Sequence, residues 1–172
     1  ISLEKCLEDN PAHGNYYANE EKPLKSPYDR IRYAEGVFVG YRGYDRNGIS
    51  PMYPFGYGLS YTSFEYSSLN VETLPDTSVK VSFNIRNIGK KTGKTVAQGY
   101  VGQRNPSVPR PSRELKGYDK VELRPGEMQS VEIVLGKDAF EYYDMDAHSF
   151  VNGKGNFVIT VGDNSADSAL TK

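Results

Sequence analysis

Val79, Val81, Phe83 and Ile85 alternate with Lys80, Ser82, Asn84 and Arg86. A period of two puts every second side chain on one face, so this run reads as a strand with one face buried and one wet. The same alternation returns at Val131, Ile133 and Leu135, and again at Phe157, Ile159 and Val161. Phe64, Tyr66, Leu69 and Val71 begin the series, and Val96–Val101 and Leu115–Leu123 extend it, with a bulge expected at Gly117. Phe140, Tyr142 and Tyr143 form a short strand or turn. Phe150-Val151 runs into Asn152-Gly153, a hairpin signal, and Ala169-Leu170 adds an edge.

Turn chemistry separates these runs. Residues 87–94 form a glycine- and lysine-rich loop, residues 104–113 carry three prolines, and Arg124-Pro125-Gly126-Glu127 sets proline second in a tight turn. About seven short strands in ~110 residues, with no helices between them, call for an antiparallel two-sheet sandwich and exclude a parallel α/β sheet. The chain has one cysteine and no tryptophan, so the antibody-type disulfide and its tryptophan are absent. The expected fold is therefore all-β: a fibronectin type III-like, immunoglobulin-like sandwich.

The approach to the first strand is different in character. Pro51-Met52-Tyr53-Pro54-Phe55-Gly56-Tyr57-Gly58-Leu59-Ser60-Tyr61 holds two prolines and two glycines. The prolines remove backbone donors, and the glycines permit positive φ or a close backbone approach. Upstream, residues 1–27 are punctuated by Asn10-Pro11, His13-Gly14-Asn15, Lys22-Pro23 and Ser26-Pro27, with no helical period. Residues 35–44 carry enough pattern for one or two helical turns, although Gly36, Gly40 and Gly43 oppose them. Asp45-Arg46-Asn47-Gly48 is a turn signal. Apolar residues scattered through this polar segment imply that it lies on a surface outside the chain. Ile1 in place of Met suggests a piece of a longer polypeptide. Residues 1–58 are expected to be an extended, mostly irregular arm and 59–172 the sandwich.

Composition narrows the function. Among 172 residues, 21 basic and 22 acidic side chains give a net charge of -1, which argues against nucleic acid as a main partner. Mean hydropathy is -0.62 and no run of about 18 apolar residues could span a membrane. Composition sets no oligomeric state, and a homo-oligomer is compatible with it. The single Cys6 excludes an internal disulfide and a cysteine-rich metal site, so no cofactor is expected.

Side chains able to do chemistry are few. His13 and His148 lack companions at metal-ligand spacing. Asp144-x-Asp146 begins like a calcium loop but lacks the later oxygen ligands, the glycine and the closing glutamate, so it reads as a solvated turn. Glu35, Asp45, Glu114 and Asp119 are carboxylates of the type used in glycosidic chemistry, yet each lies among arginines or lysines and reads as an ion-pair partner. Arg104, Arg110, Arg113, Lys116, Lys120 and Arg124, mixed with Glu114 and Asp119, suggest a salt-bridged face or docking surface. The 14 tyrosines suit loop-to-domain packing, or stacking on sugar rings.

Three stretches carry a resemblance. Residues 33–66, including Tyr-Ala-Glu-Gly-Val-Phe-Val-Gly-Tyr-Arg-Gly-Tyr-Asp and Pro-Phe-Gly-Tyr-Gly-Leu-Ser-Tyr-Thr-Ser-Phe, resemble the linker signature near the C-terminus of glycoside hydrolase family 3 enzymes, the β-glucosidases, β-xylosidases and relatives. Arg110-Pro111-Ser112-Arg113-Glu114-Leu115-Lys116-Gly117-Tyr118, with Leu123-Arg124-Pro125-Gly126-Glu127, and Gly155–Ser165 resemble that family's fibronectin type III-like domain. Tyr57 stands where the family often has histidine. The resemblance implies catalytic aspartate and glutamate on upstream barrel and α/β sandwich domains, so no catalytic residue is expected here. It implies a C-terminal part of a retaining β-glycosidase, most simply a β-glucosidase acting on terminal non-reducing β-D-glucosyl residues, with the upstream domains as partners. The alternatives are a carbohydrate-binding module and a fibronectin-type interaction module.

Overall fold

The computed structural model describes residues 35–166 and 169–172. These fall into two units that divide between Pro54 and Phe55. In the first, a seven-residue helix α1 (Tyr41–Asn47) ends at Gly48, whose φ of 64° places it in the left-handed region. The helix begins later than the 35–44 expectation, and Asp45–Gly48 forms its last turn and cap rather than a separate turn. Gly43 costs helix propensity, but Arg46 stacks 4.0 Å over the Phe38 ring and offsets part of that loss. Among the described residues no helix is long and apolar enough to cross a membrane.

The second unit is a β-sandwich. Its strands are β1 (Phe64–Thr73), β2 (Val79–Asn87), β3 (Gly93–Gln103), β4 (Glu114–Leu123), β5 (Met128–Leu135), β6 (Glu141–Asp144), β7 (Ser149–Asn152), β8 (Phe157–Gly162) and β9 (Leu170–Thr171). Sheet A has the order β1-β2-β5 and sheet B the order β4-β3-β8-β9, all antiparallel. Strands β6 and β7 make a separate hairpin. Sheet A contributes Val81, Phe83, Ile85, Val131, Ile133 and Leu135 to the core. Sheet B contributes Ala97, Val101, Val121, Leu123, Ile159 and Val161. Each large aliphatic or aromatic side chain in this layer stabilises the fold by roughly 1.5–3 kcal/mol. The alternation in β2, β5 and β8 thus becomes the sandwich interior.

Details depart from the sequence expectation. Strand β3 is longer than Val96–Val101 at both ends. The irregularity in β4 leaves Lys116 as the extra residue, since Gly117 pairs with Gly99 and Leu115 with Tyr100. Asn152-Gly153 is not the turn of a hairpin. The β6–β7 turn runs from Met145 to His148 instead, and Gly153 leaves β7 to donate to the Phe140 carbonyl at 3.1 Å. The reason is Asp144: its Oδ1 accepts from the backbone of Asp146 and of Ala147, both at 2.9 Å, and closes the turn without glycine.

Candidate functional site

The two sheets share one core but differ on their outer faces. Outward-facing residues of β2 are Lys80, Ser82, Asn84 and Arg86, none of them fully buried. Outward-facing Gln98 and Tyr100 of β3 are buried, Tyr100 completely. Gly56, in the segment from Phe55 to Ser63 that leads into β1, lies against the Gln98 side chain, and Ser112 of the 104–113 loop lies against Gly102 on the same face.

This lead-in is fixed at both ends. At its start, the Phe55 amide donates to Ser165 Oγ at 3.1 Å, and the Ser165 amide donates to the Phe55 carbonyl at 2.8 Å. Gly56 has φ of +88°, and a Cβ there would run into the Gln98 side-chain amide and lie 3.1 Å from the Asp163 carbonyl. Only glycine meets both demands. The Gln98 amide donates to the Asp163 carbonyl at 2.9 Å and its oxygen accepts from the Tyr100 hydroxyl. Gly58, by contrast, has open space around it. The two glycines are equivalent in sequence and unequal in the fold.

At its other end the lead-in meets Asn87, which terminates β2 and is fully buried. Asn87 Oδ1 accepts from Thr62 Oγ1 at 2.5 Å and from the Gly89 amide at 3.0 Å. Its Nδ2 donates to the carbonyls of Lys91 at 2.7 Å and Leu123 at 2.9 Å. Four bonds use the whole capacity of the amide and tie the lead-in, the β2–β3 loop and the end of β4 together. The Ile88 amide adds a bond to the Ser63 carbonyl at 2.9 Å. Between these anchors Leu59 is 93% exposed and Tyr61 is 99% exposed. Both anchors are neutral. The arrangement holds a loop and displays two large apolar side chains; it contains no nucleophile–base pair.

A second anchored region surrounds Arg110. Its side chain is largely buried, donating to Gln103 Oε1 at 2.9 Å and to the carbonyls of Phe140 at 3.2 Å and Glu141 at 3.1 Å. It also pairs with Glu114 at 3.3 Å, and Lys116 approaches the same carboxylate at 3.8 Å. Arg110 therefore pins the proline-rich 104–113 loop against the β6–β7 hairpin.

The residues singled out in the sequence disperse. His13 lies outside the described residues. His148 sits in the β6–β7 turn with φ of 48°, and Asp144 closes that turn. Glu35 and Asp45 belong to the first unit, where their carbonyls accept from the amides of Phe38 and Gly48. Asp119 accepts from the Lys120 amide at 2.8 Å. Arg104 donates its amide to the Asn156 carbonyl, and Arg124 donates its own to Glu127 Oε2 at 2.7 Å. Of the basic cluster, Arg110 and Lys116 converge on Glu114, while Lys120 stays on β4 beside Asp119 and Arg104 and Arg124 bond in other loops. Among the described residues no group of three or more His, Cys, Asp or Glu side chains could hold a metal ion. Gln98, Tyr100, Asn87 and Ser165 escaped sequence reading. The available signal was the broken alternation of Ala97-Gln98-Gly99-Tyr100-Val101-Gly102, which marks a strand covered on both faces.

Comparison with known proteins places this architecture. The fibronectin type III-like domain family matches residues 95–165. The chain is 43% identical over 167 residues to thermostable β-glucosidase B of Acetivibrio thermocellus, a match covering 95% of this chain and 21% of that protein. It is 39% identical over 166 residues to a β-glucosidase of Bacteroides ovatus, covering 94% of this chain and 21% of the relative. Among solved structures, the glycoside hydrolase family 3 β-glucosidase of Bifidobacterium adolescentis superposes with a TM-score of 0.88 at 31% identity. That match covers 99% of this chain and 24% of the other. The β-glucosidase of Kluyveromyces marxianus gives 0.84 at 38%, covering 96% and 19%. The chain thus spans about one fifth of the length of these relatives. By sequence and fold it corresponds to the C-terminal, fibronectin type III-like portion of glycoside hydrolase family 3 β-glucosidases.

Proposed function

We propose that this chain is the non-catalytic C-terminal part of a retaining β-glucosidase, stabilising and positioning catalytic domains that lie upstream of it. The whole enzyme would hydrolyse terminal non-reducing β-D-glucosyl residues. The observation that carries the reading is the match of nearly the entire chain, lead-in included, to one fifth of β-glucosidases. The built seam supports it. A sandwich needing only to fold alone gains nothing from fixing Phe55 and Thr62 while presenting Leu59 and Tyr61 to water, since exposed apolar surface of this kind marks interaction sites. The segment before the sandwich, expected to run to residue 58, serves as an arm against the upstream domains, and Phe55 near its end is already pinned to Ser165 just past β8.

The test is an assay of the pure chain on an aryl β-glucoside, beside the full-length parent enzyme with and without Leu59→Ser and Tyr61→Ser. The chain is expected to show no turnover. The parent variant is expected to keep its active-site chemistry but inactivate at lower temperature. Turnover by the isolated chain, abolished by changing one of its own carboxylates, would overturn the assignment. Exposed Tyr61 and Tyr118 favour the carbohydrate-binding alternative; the absence of any heat or chemical-shift change with millimolar soluble glucan removes it.

A further inference from the structure

Among the described residues of the sandwich, every buried side-chain nitrogen and oxygen has a hydrogen-bond partner. The first unit differs. Glu35 Oε2 is enclosed by protein and bonds to nothing among the described residues. The ion pair expected for Glu35 from the sequence is not made there. The two basic side chains of α1 are turned to rings: Arg46 lies 4.0 Å from the centre of the Phe38 ring, and Arg42 lies 5.9 Å from that of Tyr41. A carboxylate oxygen cut off from water without a donor is costly, more so than a neutral oxygen, because charge is buried with it.

The turn that carries Glu35 is nonetheless held in place. The Phe38 amide donates to the Glu35 carbonyl at 3.1 Å, across Gly36 with its φ of 58°. Gly43 of α1 lies so near that a Cβ there would come within 2.5 Å of the Phe38 carbonyl oxygen. Arg46 covers the Phe38 ring from the same helix. The turn also sets Val37 and Val39 into solvent. A fixed, unmet acceptor flanked by exposed apolar side chains has the character of one half of an interface.

We propose that Glu35 is a docking point for the upstream part of the parent enzyme, and that it receives a cationic side chain, an arginine or a lysine. The inference rests on the proposed place of this chain in a β-glucosidase. The relatives are about five times as long as the stretch they share with this chain, so a donor lacking here has a source there. A cation fits better than an amide or a hydroxyl, because it neutralises the charge that burial penalises.

Glu35→Gln and Glu35→Leu, each placed in this chain and in the parent enzyme, test it. Glutamine keeps the shape and a neutral acceptor; leucine keeps most of the bulk and no acceptor. In the chain, neither is expected to lower the melting temperature or to speed hydrogen exchange at the Phe38 amide, since no bond is lost. In the parent, both are expected to speed thermal inactivation at least about tenfold, because each strands a buried cation. A parent that no longer folds with Glu35→Gln, beside a chain that does, is the same result in stronger form. A parent as robust with Glu35→Gln as without it overturns the proposal. So does a chain loosened by Glu35→Gln, which would put the donor within the chain. A parent impaired by Glu35→Leu and not by Glu35→Gln makes the donor neutral and overturns it too. Harmless Glu35 variants beside heat-sensitive Leu59→Ser and Tyr61→Ser would sink this inference and leave the non-catalytic reading standing, whereas turnover by the isolated chain would sink that reading directly.

Discussion

The outer faces of the two sheets are built from the same strand geometry and end in opposite states. On sheet A, half-buried Lys80 reaches exposed Glu72 on the neighbouring strand at 3.0 Å, and Ser82 and Asn84 stand among other polar side chains. On sheet B, Gln98 and Tyr100 are buried: the Gln98 amide donates to the Asp163 carbonyl and lies against Gly56 of the lead-in, and the Tyr100 hydroxyl donates to Gln98. Water solvates the first face and the chain itself solvates the second. A polar side chain under cover must find every partner within the protein, because leaving one unmet costs about 1–3 kcal/mol. The covered face therefore has specific bonding that the open face does without, and it is the face where a substitution should be felt.

The largest expected effect comes from Gly56→Val. It combines a positive φ with a side chain driven into Gln98, and should cost about 3 kcal/mol. The lead-in is expected to lift from sheet B, read as faster hydrogen exchange at Gln98 and Tyr100 and as new proteolytic cleavage near Tyr57. Gly58→Ala should leave both unchanged. If the two variants behave alike, the seam is not what covers β3. Next comes Asn87→Ala, which strands four partners and should lower stability by about 2–3 kcal/mol in urea unfolding. Ser165→Ala removes only the acceptor of the Phe55 amide, for about 1 kcal/mol. Asn84→Ala, on the open face, should change stability by less than about 0.5 kcal/mol. An Asn84 effect as large as that of Ser165 would erase the contrast between the faces.

The smallest effect lies in the β1–β2 turn and depends on pH. Asp76 accepts from the Ser78 hydroxyl at 2.6 Å and from the Ser78 amide at 3.0 Å, and these bonds hold its carboxyl below the usual value of 3.8. A depressed carboxylate contributes stability above its unfolded value and loses it as pH falls through the folded one. Asp76→Asn should therefore lower the melting temperature slightly near neutral pH and converge with the parent in acid. A constant difference down to strongly acid pH would show that the charge plays no part.

Strands with one wet face were legible because their pattern is a direct record of their surroundings. Val79 to Arg86 alternates because alternate positions meet the core and water. Strand β3 was legible only as a short apolar run, since Gln98 and Tyr100 lie under protein on the side where water was expected. The β6–β7 turn was missed because Asp144 supplies through its side chain the closure that Asn152-Gly153 promised through glycine. The helix in the first unit starts only at Tyr41 because Gly36 and Gly40 take positive φ, which a right-handed helix does not admit, while the Phe38–Arg46 stack supports its far end.

The lead-in shows where local chemistry ends. Pro54-Phe55-Gly56-Tyr57-Gly58 determined by itself that the chain makes a break here, and the alternation after Phe64 determined that a sandwich follows. These are properties of neighbouring residues, governed by sterics and by a period of two. That Gly56 is irreplaceable and Gly58 is not, and that Asn87 and Ser165 hold the lead-in from 25 and 110 positions away, belongs to the tertiary structure. Hydrogen bonds between distant residues leave no local period, and only packing of the folded strands brings their partners together.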